Sequence, residues 1–119
     1  MFKLNFEIDC PDGKYAFYCV CDEKLEYKVE TDILGLDNKE GEISPDRFIR
    51  LLNDASIERW DRKYSGDNLI EDGIIWKLIY ETDDRKYETE GYESYEPYNF
   101  EYLLSAIKLC DTQLEYFGW

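Results

Sequence analysis

The sequence predicts an α+β domain in which a single antiparallel sheet of about five strands carries two helical regions packed on one face. Three observations predict it. Residues 2 to 8, FKLNFEI, alternate apolar and polar side chains, and the alternation returns in LEYKVE at 25 to 30. A second strand-rich block, IIWKLIYE at 74 to 81 followed by KYETEGY at 86 to 92, reads as a hairpin. Apolar residues at helical spacing occupy two further stretches, 44 to 60 and 97 to 113. A chain of 119 residues has room for one core, and no repeat, low-complexity tract or linker divides it, so residues 1–119 are expected to form one domain.

Each element has its own warrant. In the first strand Phe2, Leu4, Phe6 and Ile8 share one face and Lys3, Asn5 and Glu7 the other. CPDG at 10 to 13 is a turn, and KYAFYCVC at 14 to 21 is a strand with apolar residues on both faces, as a central strand requires. With 25 to 30 these make a three-stranded meander. Residues 34 to 43, LGLDNKEGEI, read as a loop. At 44 a helix is signalled: Ser44 can cap it, Pro45 suits its first position, Asp46 complements its dipole, and Phe48, Leu51 and Leu52 form a buried stripe. The pattern runs on through Ile57 and Trp60, as one long helix or as two joined near 53 to 56, and GDN at 66 to 68 breaks it. DDRK turns the hairpin, and the final helix begins at Pro97 with Phe100, Leu103, Leu104, Ile107 and Cys110 inward.

Charge narrows the function classes. Twenty-eight acids face fourteen bases, a net charge of −14. Such a field repels nucleic acid and anionic membranes and favours basic protein surfaces, whereas phosphate-backbone affinity needs clustered Lys and Arg. Hydrophobic residues at 44% give the chain the means to fold. The start MFKLNFEIDC lacks a signal-peptide core and no run nears the roughly 18 apolar residues of a membrane span, so a cytoplasmic protein is expected. Cys10, Cys19, Cys21 and Cys110 are then expected as free thiols, with Cys19 and Cys21 on one inward face.

Conventional catalysis is not expected. The chain has no histidine, which removes Ser-His and Cys-His pairs and most zinc and iron sites. Among so many acids, close carboxylate pairs arise by chance and specify no mechanism. One Cys-x-Cys and two isolated cysteines do not make the paired knuckles of a zinc site, and SGDNLIEDG at 65 to 73 lacks the alternating oxygen ligands of a calcium loop. No phosphate-binding glycine pattern is present. We therefore expect neither enzyme activity, cofactor nor metal.

Trp60, Tyr64, DGIIWKL at 72 to 78 and GYESYEPYNFEYLL at 91 to 104 form a W…Y…DG..W.L…G…Y-P-x-N-F pattern. It resembles small uncharacterised proteins of Firmicutes and their mobile elements, with Glu96 inserted here between Tyr95 and Pro97. The resemblance covers the C-terminal half, implies an α+β domain and assigns no activity. In composition the chain is also similar to phage anti-defence inhibitors such as anti-CRISPR proteins, and to immunity proteins that neutralise toxins.

Residues 81 to 101 hold eight acids against two bases, and YETEGYESYEPY at 87 to 98 contains no base. A non-enzymatic binding protein would use this region on a basic partner, through Asp83, Asp84, Glu88, Glu90, Glu93 and Glu96, with Tyr92 or Tyr95 as an aromatic anchor. The first expectation is an inhibitor of a nucleic-acid-binding enzyme or host-defence complex, by DNA mimicry. The alternative is an immunity protein that meets a basic toxin through a mixed interface with aromatic anchors. An amphipathic hairpin whose charged face is merely solvated explains the same residues. A surface near 6800 Å² carries on the order of one net charge per 490 Å², so mimicry requires the carboxylates to cluster.

Overall fold

The computed structural model describes residues 1–64, 73–92 and 96–119. In chain order it contains β1 (Phe2–Cys10), β2 (Gly13–Cys21), β3 (Leu25–Thr31), β4 (Lys39–Ile43), α1 (Asp46–Ala55), a 3-10 turn (Ile57–Arg59), β5 (Lys63–Tyr64), β6 (Ile75–Thr82), β7 (Lys86–Tyr92), α2 (Phe100–Lys108) and a 3-10 segment (Thr112–Phe117). The strands make one sheet in the order β4-β3-β2-β1-β6-β7-β5. β1 lies at its centre, antiparallel to β2 on one side and to β6 on the other.

The sheet departs from expectation in two ways. Among the described residues it has seven strands rather than about five, and it is mixed, because β5 runs parallel to β7 with Lys63 opposite Glu90 and Tyr64 opposite Gly91. The first extra strand, β4, lies inside the stretch read as a loop. KEGEI carries no apolar alternation because an outermost strand exposed on both faces has nothing to bury; backbone pairing with β3 alone makes it a strand. The second, β5, is two residues long and below the reach of any periodicity.

Both helical regions are shorter than their apolar patterns. Helix α1 is flanked by Pro45, not capped by Ser44, and it ends where Ser56 turns left-handed at φ 52 and its N–H meets Asn53 O. The 44 to 60 region is thus two helical pieces. The final pattern, expected to run from 97 to 113, divides into α2 and the 3-10 segment, because Asp111 takes an extended conformation and its carboxylate accepts from Gln113 N. The break expected at 66 to 68 lies outside the described residues.

Register assigns the faces. Phe2, Leu4, Phe6 and Ile8 of β1 stand beside Tyr15, Phe17, Cys19 and Cys21 of β2 and Trp76, Leu78 and Tyr80 of β6, all on one side. Rings from every covering element land there: Phe48 of α1 lies 6.1 Å from Phe2 and 6.3 Å from Phe17, Phe100 of α2 lies 4.7 Å from Trp76, and Phe117 lies 5.5 Å from Tyr15. Both helices and the 3-10 segment therefore cover the same face. The opposite face carries Lys3, Glu7, Lys77 and their neighbours, and among the described residues no second layer covers it.

Phe100 is fully buried at the centre of this aromatic stack, so Phe100→Ala should cost about 3–5 kcal/mol in urea unfolding. Tyr98→Ala, two residues away but 95% exposed, should stay within about 0.5 kcal/mol of the parent.

Candidate functional site

The β6–β7 hairpin carries most of the expected partner-binding residues. Thr82 holds its turn: Thr82 N donates to Arg85 O at 2.8 Å and Arg85 N returns to Thr82 Oγ1 at 3.2 Å, leaving Asp83 and Asp84 exposed at the tip. Along β7 the two-residue period turns Tyr87, Thr89 and Gly91 towards the helices and Lys86, Glu88, Glu90 and Tyr92 to the open face, opposite Glu81, Ile79, Lys77 and Ile75 of β6. The structure thus brings Glu88, Glu90 and Tyr92 onto one side, with Asp83 and Asp84 at the hairpin end. Glu96 is exposed, and Glu93 and Tyr95 lie outside the described residues.

The carboxylates on this face are interleaved with cations. Lys86 Nζ lies 3.1 Å from Glu88 Oε1 and 4.0 Å from Glu81 Oε1, and Glu90 stands in register between Lys77 and Lys63. These exposed pairs contribute on the order of 0.2–1 kcal/mol each, too little for their arrangement to be a stability device. Beside them a depression of about 470 Å³ is lined by Glu7, Arg62, Lys63, Lys77, Glu88 and Glu90. The surface is therefore of mixed sign, not a continuous run of carboxylates.

One residue of the stretch escaped the sequence reading. Tyr98 is 95% exposed just before α2, with Tyr102 exposed one turn further on, whereas Tyr92 is half-buried beside Ile75. The signal was present: Phe100, Leu103, Leu104 and Ile107 define the buried stripe, and positions 98 and 102 fall off it.

A second polar constellation is internal. Asp111 is buried and takes hydrogen bonds from Tyr15 Oη at 2.8 Å, Gln113 N at 3.1 Å and Gln113 Nε2 at 3.1 Å, with Lys39 Nζ at 3.3 Å. Burial pushes its pKa up, but the bonds from Tyr15, Gln113 and Lys39 outweigh it and hold the carboxyl below its ordinary 3.8. The Tyr15 hydroxyl is pushed well up, by burial first and then by Asp111. Gln113 continues the network, accepting from Asp37 N at 2.8 Å and donating to Asp37 O at 3.0 Å. The cluster fastens the C-terminal segment to β2, β4 and the loop before β4.

All four cysteines are free thiols, and Cys19 and Cys21 point inward together. Burial, followed by Asp111, raises the Cys110 thiol to about 12, far from the thiolate a nucleophile needs. Among the described residues no group of three or more Cys, Asp or Glu side chains is placed to hold a metal ion; of the SGDNLIEDG stretch only Gly73 is described. No helix among them is long and apolar enough to cross a membrane. Against known proteins, the chain matches no family model and no curated protein.

Two measurements check this account. Because the Asp111 pKa is depressed on folding, its stabilising contribution is present above the ordinary carboxylate range and is lost as pH falls through the folded pKa. Asp111→Asn should therefore cost about 1–3 kcal/mol at pH 7 and unfold with a flatter dependence below pH ~4 than the parent; parallel acid limbs would contradict it. Thermal unfolding should also be the same with EDTA, with added zinc and with neither; a stoichiometric zinc content in purified protein would contradict that.

Proposed function

We propose that this chain is an acidic, non-enzymatic binding protein that inhibits a nucleic-acid-binding enzyme or host-defence complex by occupying its basic surface. The observation that carries the reading is the open side of the hairpin, onto which β7 turns Glu88, Glu90 and the half-buried Tyr92, with Asp83 and Asp84 exposed at its tip, within a chain of net charge −14. Glu96 is exposed further along the chain and Tyr98 just before α2, and Glu93 and Tyr95 belong to the same stretch of sequence. Net charge draws a basic partner in, and a few rigid aromatic contacts give the complex its lifetime.

One observation favours a second reading, an immunity protein against a basic toxin. Lys86, Lys77 and Lys63 alternate with Glu88 and Glu90. Alternating signs complement a particular protein surface, whereas imitation of a phosphate backbone calls for carboxylates without intervening cations.

Competition separates the readings. The chain is titrated against RNA-guided nuclease complexes and against basic nuclease toxins, following substrate cleavage. If it occupies a nucleic-acid groove, duplex DNA should displace it competitively, and Glu88→Lys with Glu90→Lys should weaken inhibition by about tenfold or more, as should raised salt. Rescue of cells from a toxin without DNA competition would assign the immunity role. Inhibition indifferent to both the charge reversal and salt would overturn the electrostatic reading in either form.

A further inference from the structure

Among the described residues strand β4 is an outermost strand whose residues 39 to 42 are all exposed, and its hydrogen-bonding direction follows from two contacts on its neighbour. Asp32 N donates to Lys14 O at 3.2 Å, flanking the Tyr15–Thr31 pair, so Thr31 turns its own N–H away from β2; it donates to Asn38 Oδ1 at 2.8 Å. By antiparallel alternation Val29, Tyr27 and Leu25 also face β4, so their partners Lys39, Gly41 and Ile43 bond back to β3. Glu40 and Glu42 are left directing N–H and C=O outward. Their side chains stand on the open face beside Lys28 and Glu26.

The middle of this edge is shaped as well. A Cβ on Gly41 would lie 2.7 Å from Tyr27 Oη and 2.9 Å from Tyr27 Cζ, so the Tyr27 ring, stacked on Phe17, extends over Gly41 towards the edge. We infer that the β4 edge accepts an extended segment of a basic partner protein as an added strand, reading a basic–apolar–basic sequence. The backbone of Glu40 and Glu42 forms the ladder, basic side chains of the partner meet the two carboxylates, and the apolar residue between them rests on Tyr27 across Gly41. Charge selects this occupant over a second copy, because antiparallel self-pairing about Gly41 would set Glu40 opposite Glu42 twice. Lys24, 3.6 Å from Glu42, and Lys28, drawn to Glu30 at 2.7 Å, are exposed and exchange readily.

This site lies at the other end of the sheet from the β6–β7 hairpin and rests on the proposed function only for the partner's basic sign. A fluorescent peptide of alternating Lys and Val is titrated into the protein, beside a Glu–Val peptide and a Lys–Val peptide N-methylated at alternate residues. The Lys–Val probe should bind and slow hydrogen exchange at the Glu40 and Glu42 amides. Glu40→Lys with Glu42→Lys, at unchanged unfolding midpoint, and N-methylation should each weaken it by about tenfold or more, while Glu88→Lys with Glu90→Lys leaves it unaltered. Equal binding of the N-methylated probe, exchange protection on β7 instead, or no binding by the parent protein would overturn the inference. The last outcome would leave charged edge residues that merely prevent aggregation, and none of the three bears on inhibition through the β6–β7 hairpin.

Discussion

The pairing of β1 with β6 is the constraint on which the rest of the structure depends. It joins residues as distant as Phe2 and Thr82, or Ile8 and Trp76, and without it the β4–β1 meander and the β6–β7 hairpin would be separate half-sheets. Closing so long a stretch costs conformational entropy, but the cost grows only with the logarithm of loop length. The return is large because the register is unambiguous: a slip of one residue would send Phe2, Leu4, Phe6 and Ile8 to the open face while Lys3 and Glu7 turned into the core. Once Phe6, Phe17 and Trp76 stand on one side, they define where Phe48 and Phe100 can dock, and the helices have one site each.

Asp111 is the second constraint. A buried carboxylate is tolerated only when donors replace its water, and here a phenol, an amide side chain, a backbone N–H and an ammonium group do so. Meeting all of them requires an extended backbone at Asp111, which stops the helical pattern and redirects the chain. That redirection is what places Phe117 on Tyr15 and lets Gln113 secure Asp37. One side chain thereby decides how the last helical region ends and how the loop leading into β4 is held.

The parts of the fold legible in the sequence were those whose burial alternates. β1 and β3 could be read almost to the residue, as could the inward direction of Cys19 and Cys21, because one face of each strand is apolar, and β7 followed from its charged alternation, Lys86, Glu88 and Glu90. What could not be read had no burial signature. KEGEI is a strand only through backbone bonds, Lys63–Tyr64 is too short to show a period, and the role of Asp111 depends on Tyr15, Lys39 and Gln113 meeting from three separate segments. In the candidate site the facing of Glu88 and Glu90 followed from the period of two, but the lysines between them did not: Lys77 and Lys63 arrive from other strands, which only sheet order reveals.

That interleaving separates two jobs that net charge alone confounds. At physiological ionic strength a field reaches about 8 Å, so a partner on approach responds, within that reach, to the surplus of acids on the surface turned towards it and not to any single pair. A partner in contact responds instead to individual neighbours, and there Glu88 is met through Lys86 and Glu90 through Lys77 and Lys63. Under the proposed function, steering and recognition thus belong to different residues. The scattered surplus sets how often a basic protein arrives, and the pattern of signs, with Tyr98 as anchor, sets which one stays. A polyanion mimic built only from carboxylates would steer as well and discriminate less, since every basic groove would satisfy it.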